Sequence, residues 1–159
     1  MIMPVSDNPI GINQDLEAIL SDYFQLKNAI FSADTNSSNK AAYVLNAQLN
    51  QFPGNELPGD QLKIKKTRSL LDSLPKEIQE LIIARNIRGK RRHFALISMS
   101  VNQLIRTVGL KDKKIYWQYC PMANDDQGAF WLTDSSSISN PYFGAQMPDC
   151  GQTKETLQF

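Results

Sequence analysis

Apolar residues recur every three or four positions through the first two thirds of the chain. After Asn13 they fall at Leu16, Ile19, Leu20, Tyr23, Leu26 and Ile30, one continuous stripe that predicts a first helix. The polar run Ser32 to Asn39 predicts a link rich in capping residues. Ala42, Leu45, Leu49 and Phe52 then predict a shorter second helix that stops before Pro53-Gly54. Asp60 can cap a third helix carrying Ile64, Leu70, Leu71, Leu74, Ile78, Leu81 and Ile82; Pro75 interrupts it and implies either a kink or a new start. Asn86 can cap a fourth, in which Ile87, Phe94, Ile97, Val101, Leu104 and Val108 keep near-heptad spacing up to Gly109. Four such elements with short links predict a mainly α fold, an antiparallel up-and-down four-helix bundle over about 13–109.

The pattern changes in the tail, 110–159. Ile115-Tyr116-Trp117-Gln118-Tyr119 and Ala129-Phe130-Trp131-Leu132 are aromatic and β-branched, so both read as short strands or extended pieces. Turn residues fill the rest: Asn124 to Gly128, Ser135 to Ser137, Asn140-Pro141 and Pro148 to Gly151. The expected tail is irregular, with at most a short β-hairpin. Adjacent carboxylates in a loop usually diverge, so Asp125 and Asp126 are assigned to a solvated turn.

At 159 residues the chain fits one domain, 1–159. Its 42% hydrophobic and 21% charged residues suit a globular fold. No apolar run approaches the roughly 18 residues of a membrane helix, and MIMPVSDNPI lacks a signal-peptide pattern, so the expectation is a soluble chain with no membrane span. A single histidine, His93, leaves little room for a His-based hydrolase or a multi-histidine zinc site. No enzyme is expected. Net charge is uneven: −4 over 1–59, +6 over 60–92 and −1 over 93–159. Lys63, Lys65, Lys66, Arg68, Arg85, Arg88, Lys90, Arg91 and Arg92 form the basic stretch. It carries no nucleic-acid recognition motif, so the expectation is that it packs against the acidic first helix and binds no nucleic acid.

Both cysteines lie in the tail, each beside a methionine: Cys120-Pro121-Met122 and Met147-Pro148-Asp149-Cys150. Thiolate and thioether are soft donors that favour Cu(I) and similar ions, and two proline-stiffened loops could present up to four sulfurs to one ion. A Cys120–Cys150 disulfide stabilising an irregular tail is the alternative, with Met122 and Met147 packing against Trp117 and Trp131. His93 flanks the buried face of the fourth helix; its ordinary role is a hydrogen-bonded histidine at the bundle edge, and a ligand role needs the tail to fold over that helix.

The strings CPMANDDQGAFWLT, Cys120 to Thr133, and ISNPYFGAQMPDCG, Ile138 to Gly151, carry a resemblance. They look like the signature of a bacterial domain-of-unknown-function family, C-P-M-A then G-A-x-W-L then N-P-Y-x-G-x-x-M-x-x-C-G. Arg91, His93 and Phe94 agree more loosely. Members of that family occur alone as exported proteins or fused to periplasmic adaptors of copper and silver efflux pumps. The resemblance implies a non-catalytic soft-metal binder, for Cu(I) or Ag(I), with Cys120, Met122, Met147 and Cys150 as the site and His93 as a further candidate. It also implies a periplasmic or lipid-anchored location in the cell envelope, and an efflux adaptor or other envelope protein as partner. Asn140 to Gly144 is expected to form a fixed turn that aims Met147 and Cys150 at the first loop, which requires the two cysteines to lie close in space.

Overall fold

The computed structural model describes residues 8–159. The fold is mainly helical, with four long helices packed against each other and a three-stranded antiparallel sheet at the C-terminal end. The helices are α1 (Ile10–Phe31), α2 (Thr35–Gln51), α3 (Gln61–Ile83) and α4 (Ile87–Val108). The predicted stripes face inward: Leu16, Ile19, Tyr23 and Ile30 of α1 are fully buried, as are Leu45, Leu74, Leu81, Phe94, Ile97 and Leu104 from the other three helices. No helix among the described residues is long and apolar enough to cross a membrane.

The capping chemistry works as the sequence implies at two sites. The Asp60 carboxylate accepts from the Lys63 amide at 2.9 Å, and the Asn86 side-chain oxygen accepts from the Gly89 amide at 2.9 Å. Gly109 ends α4 at φ +81. Elsewhere the boundaries differ. Helix α1 begins before Asn13, whose side-chain oxygen instead accepts from the Lys111 amide at 2.7 Å and so holds the chain leaving α4. Of the polar run expected as a link, only Ser32–Asp34 lies between helices. Asp34 accepts from the Ser37 amide at 3.0 Å, and the Ser38 hydroxyl donates to the Asp34 carbonyl at 2.7 Å, which draws Thr35–Asn39 into α2. Pro75 lies inside α3, which runs unbroken past it because Leu70, Leu74, Ile78 and Leu81 bury one continuous face.

In the tail, β1 (Lys114–Cys120), β2 (Ala129–Thr133) and β3 (Gln152–Gln158) form a sheet in the order β2-β1-β3. The first two strands match the sequence expectation. β3 was not expected, because QTKETLQ is polar on both faces and only Leu157 is buried. It pairs antiparallel with β1, from Lys114↔Gln158 to Tyr119↔Gln152, with a bulge at Trp117/Gln118.

One cluster of buried residues runs from the helices into the sheet. At its centre the fully buried Tyr23 hydroxyl bonds to the Ser98 hydroxyl at 2.7 Å and accepts from the Leu132 amide of β2 at 3.0 Å. The ring of Tyr23 stacks on Phe94 at 5.3 Å, Phe94 meets Tyr142 at 5.9 Å, and Tyr142 meets the edge of Trp131 at 6.0 Å. A second tie is Lys90, 1% exposed, whose ammonium donates to the Leu81 carbonyl at 2.9 Å, the Ile82 carbonyl at 3.3 Å and the Asn39 side chain at 2.7 Å. A cation there closes the C-terminal end of α3, where carbonyls lack partners.

Replacing Tyr23 by Phe keeps the ring and strands the Leu132 amide in the core. Tyr23→Phe is therefore expected to lower the unfolding free energy by about 1 to 3 kcal/mol, measured by urea denaturation. An unchanged midpoint would show that the hydroxyl does not hold sheet to bundle.

Candidate functional site

Cys120 ends β1, opposite Ala129 of β2; Gln118 lies opposite Trp131. Directly paired residues share a sheet face, so Gln118, Cys120, Ala129 and Trp131 line one side. The segment 138–151 is packed on it. Cys150 belongs to that segment, and its thiol neighbours that of Cys120 closely enough to perturb it; both cysteines are free. Cys120 is fully buried and Cys150 is half-buried.

The segment is fixed by one side chain. Asn140, fully buried, donates to the Cys150 carbonyl at 2.7 Å and accepts from the amides of Tyr142 at 2.8 Å and Phe143 at 3.3 Å. Its own amide donates to the Pro148 carbonyl at 2.9 Å. Asn140 thus ties the turn that follows it to the turn that carries Cys150. Gly144, at φ +57, lies against the Phe31 carbonyl at the end of α1, where a Cβ would overlap that oxygen. Gly151 passes so close to Trp131 and the Tyr119 carbonyl that a Cβ would lie 2.9 Å from the indole. The Trp131 indole donates to the Gln118 side chain at 2.9 Å, and Gln118 donates in turn to the Ser137 carbonyl at 3.3 Å and the Thr153 hydroxyl at 3.2 Å.

Met122 and Met147 stand in the flanking turns. Met122 is 47% exposed and lines a cleft of about 450 Å³ between the first turns of α4 and the two loops, with Arg88, Arg91, Arg92, Asp125 and Gln146 among its walls. Met147 is half-buried, and its carbonyl accepts from the Cys150 amide at 3.4 Å. The thiols are therefore in contact, while the Met122 thioether sits in a more open environment than Cys120. His93 is placed elsewhere: its Nδ1 lies 3.3 Å from the Glu77 carboxylate of α3, along the seam between those helices. No group of three or more His, Cys, Asp and Glu side chains converges among the described residues.

The described partners of the basic stretch do not include the carboxylates of the first helix that charge alone suggested. Arg88 and Arg92 both donate to one oxygen of Asp125, at 2.6 and 2.7 Å. Arg91 donates to the carbonyls of Pro141 at 3.0 Å and Ile30 at 3.3 Å, and Lys90 closes α3. Backbone carbonyls left without partners at the ends of α1 and α3, together with the tail, accept these cations in place of the α1 carboxylates. Asp125, assigned from the sequence to a solvated turn, is instead bound by two arginines 33 residues or more away, a pairing that no local signal marked. The two guanidiniums hold its carboxyl below the usual aspartate range.

The molecule is thus a four-helix bundle carrying a small sheet, with a thiol pair beneath a turn locked by one asparagine. The family model described as "Protein of unknown function (DUF3347)" matches residues 19–113, and the chain belongs to that family. The match runs from within α1 through α4 and ends at the residue before β1. Neither a curated protein nor a solved structure matches the chain.

The contact with Cys120, reinforced by burial, pushes the Cys150 thiol up to about 11. Alkylation of Cys150 in the metal-free reduced protein should accordingly follow a rate profile with a midpoint near pH 11. In Cys120→Ala the midpoint should fall toward the ordinary thiol value of about 8.5. Identical profiles for the two proteins would mean that the thiols do not interact.

Proposed function

We propose that the protein is a non-catalytic binder of a soft heavy-metal ion, Cu(I) or Ag(I), acting in metal buffering, delivery or efflux at the cell envelope. The observation that carries this reading is the contact between the Cys120 and Cys150 thiols, with a methionine in each flanking turn. Two thiolates suit a soft monovalent ion, and thioethers add to it without adding charge. The donor set suits Zn²⁺ less well, since zinc completes its tetrahedron with His, Cys or carboxylate oxygen. Cys120 and Cys150 would hold the ion, and Met122 and Met147 would complete the shell. His93 is left out of the set because its ring faces Glu77 of α3; the carboxylate at Nδ1 would leave Nε2 free, so its placement and not that pairing sets it aside.

Each ligating thiol gives up its proton on binding, so a Cys150 thiol held up to about 11 makes affinity rise with pH across the neutral and alkaline range. The cellular role rests on the resemblance of the 120–151 motif to that of exported and adaptor-fused proteins of copper and silver efflux. A periplasmic or lipid-anchored position and an envelope partner, such as an efflux adaptor, belong to the same proposal. The same thiol contact supports a second reading, a structural or protein-interaction module in which Cys120 and Cys150 are joined as a disulfide and no metal binds.

Reduced protein should take up one equivalent of Cu(I) in competition with a chelator of known affinity. Cys120→Ser, Cys150→Ser and the oxidised protein should each lose that uptake, because one disulfide consumes both thiolates. Equal uptake by reduced and oxidised protein would overturn the metal reading. Met122→Leu/Met147→Leu keeps side-chain volume and apolar packing nearly constant. It should weaken Cu(I) binding clearly, change Zn²⁺ binding much less, and leave the metal-free melting temperature within about 2 °C. An unchanged Cu(I) affinity would assign both methionines to packing.

A further inference from the structure

Between Met122 and β2 the chain makes an unusual turn. Asn124, Asp125 and Asp126 all have left-handed backbone, at φ 53, 59 and 64. Asn and Asp visit that region more readily than other side chains, but usually as single residues and not three in a row. Backbone bonds close the turn from both ends: Asp126 donates to the Met122 carbonyl at 3.3 Å, and Gly128 to the Ala123 carbonyl at 3.0 Å. From outside, the double ion pair from Arg88 and Arg92 to Asp125 fastens the middle of the turn to α4.

Met122 opens this turn and lines the cleft that the same two arginines wall. Its side chain stands in partial solvent, whereas Cys120, two residues earlier, is fully buried. Accepting the reading that the thiols hold a soft ion, we propose that the Arg88–Asp125–Arg92 ion pairs are a latch that keeps the Met122 thioether in the cleft and so regulates its recruitment to that ion. Latched, the Met122 thioether is held in the cleft, so in the wild type it reaches the ion only in the fraction of molecules whose turn has opened. Released, the turn relaxes and the thioether joins the ion. Any negatively charged group that engages Arg88 and Arg92 in place of Asp125 would release it.

Asp125→Asn separates the latch from its surroundings, because Asn tolerates left-handed backbone as Asp does while losing both ion pairs. Asp125 acts here as a positioning residue, so its effect must pass through Met122. Removing a negative charge near a bound cation weakens binding whether or not Met122 is present; unlatching strengthens binding only when Met122 is present. The cycle of wild type, Asp125→Asn, Met122→Leu and the double variant distinguishes the two. Asp125→Asn should bind Cu(I) about threefold tighter than wild type, a size suited to releasing exposed ion pairs. In the Met122→Leu background the same change should give no tightening.

A metal-free readout accompanies the cycle. With methyl-labelled methionine, the Met122 methyl should become more mobile in Asp125→Asn, and the amides of Asp126 and Gly128 should exchange faster. A Met122 methyl as rigid in Asp125→Asn as in wild type would overturn the latch even where copper binds. Equal tightening with and without Met122 would overturn it as well. Absence of Cu(I) uptake by all four proteins, together with a mobile Met122 methyl, would overturn the metal reading and, with it, the regulation of ligand recruitment.

Discussion

The buried Tyr23 hydroxyl is the hydrogen bond that ties the sheet to the bundle from inside the core. A three-stranded sheet of this size has little core of its own, and β3 contributes only one buried side chain, so the sheet needs a partner to be stable. Tyr23 supplies part of that partner by closing a backbone bond of β2 from inside the helices, while its ring begins the aromatic path through Phe94 and Tyr142 to Trp131. Once β2 is anchored, register fixes β1 beside it, and Cys120 takes its place at the end of β1. The thiol pair is therefore positioned by a contact that begins in the first helix.

Much of the C-terminal signature is accounted for by packing. Gly128 clears the Tyr119 ring, Asn140 joins two turns, Gly144 lies against a helix carbonyl, and Gly151 passes over an indole. Trp131 and Tyr142 are buried and hydrogen-bonded. The fold makes no comparable demand on a half-exposed thioether such as Met122, which any flexible apolar side chain could replace at that surface. That contrast is the physical reason to separate Met122 from the packing residues of the motif when assigning function.

The helices were legible because their signals are local: a stripe at period 3.6, a capping oxygen three residues upstream, a glycine at the exit. Local signals also misled. The serines after Asp34 suggested a link, yet they fold back on Asp34 and join α2. Charge counting paired the basic stretch with the acidic helix, although Asp125 and the backbone carbonyls were the partners within reach. β3 was hidden because its stability comes from the hydrogen bonds of β1, which leave no hydrophobic alternation behind. In the candidate site, residue chemistry singled out the four sulfurs, and the resemblance carried the expectation that the two cysteines lie close, since each sits beside a proline or glycine turn. Asn140 offered only a turn signal, since a side chain that joins two loops depends on what lies opposite it.

The central claim, a sulfur-only site for a soft ion, is tested most directly by X-ray absorption at the copper edge on reduced, Cu(I)-loaded protein. The account predicts a first shell made of sulfur alone, with two thiolates from Cys120 and Cys150 and thioether completing it. A shell containing nitrogen, with the outer-shell scattering of an imidazole ring, would bring His93 into the site and contradict the account.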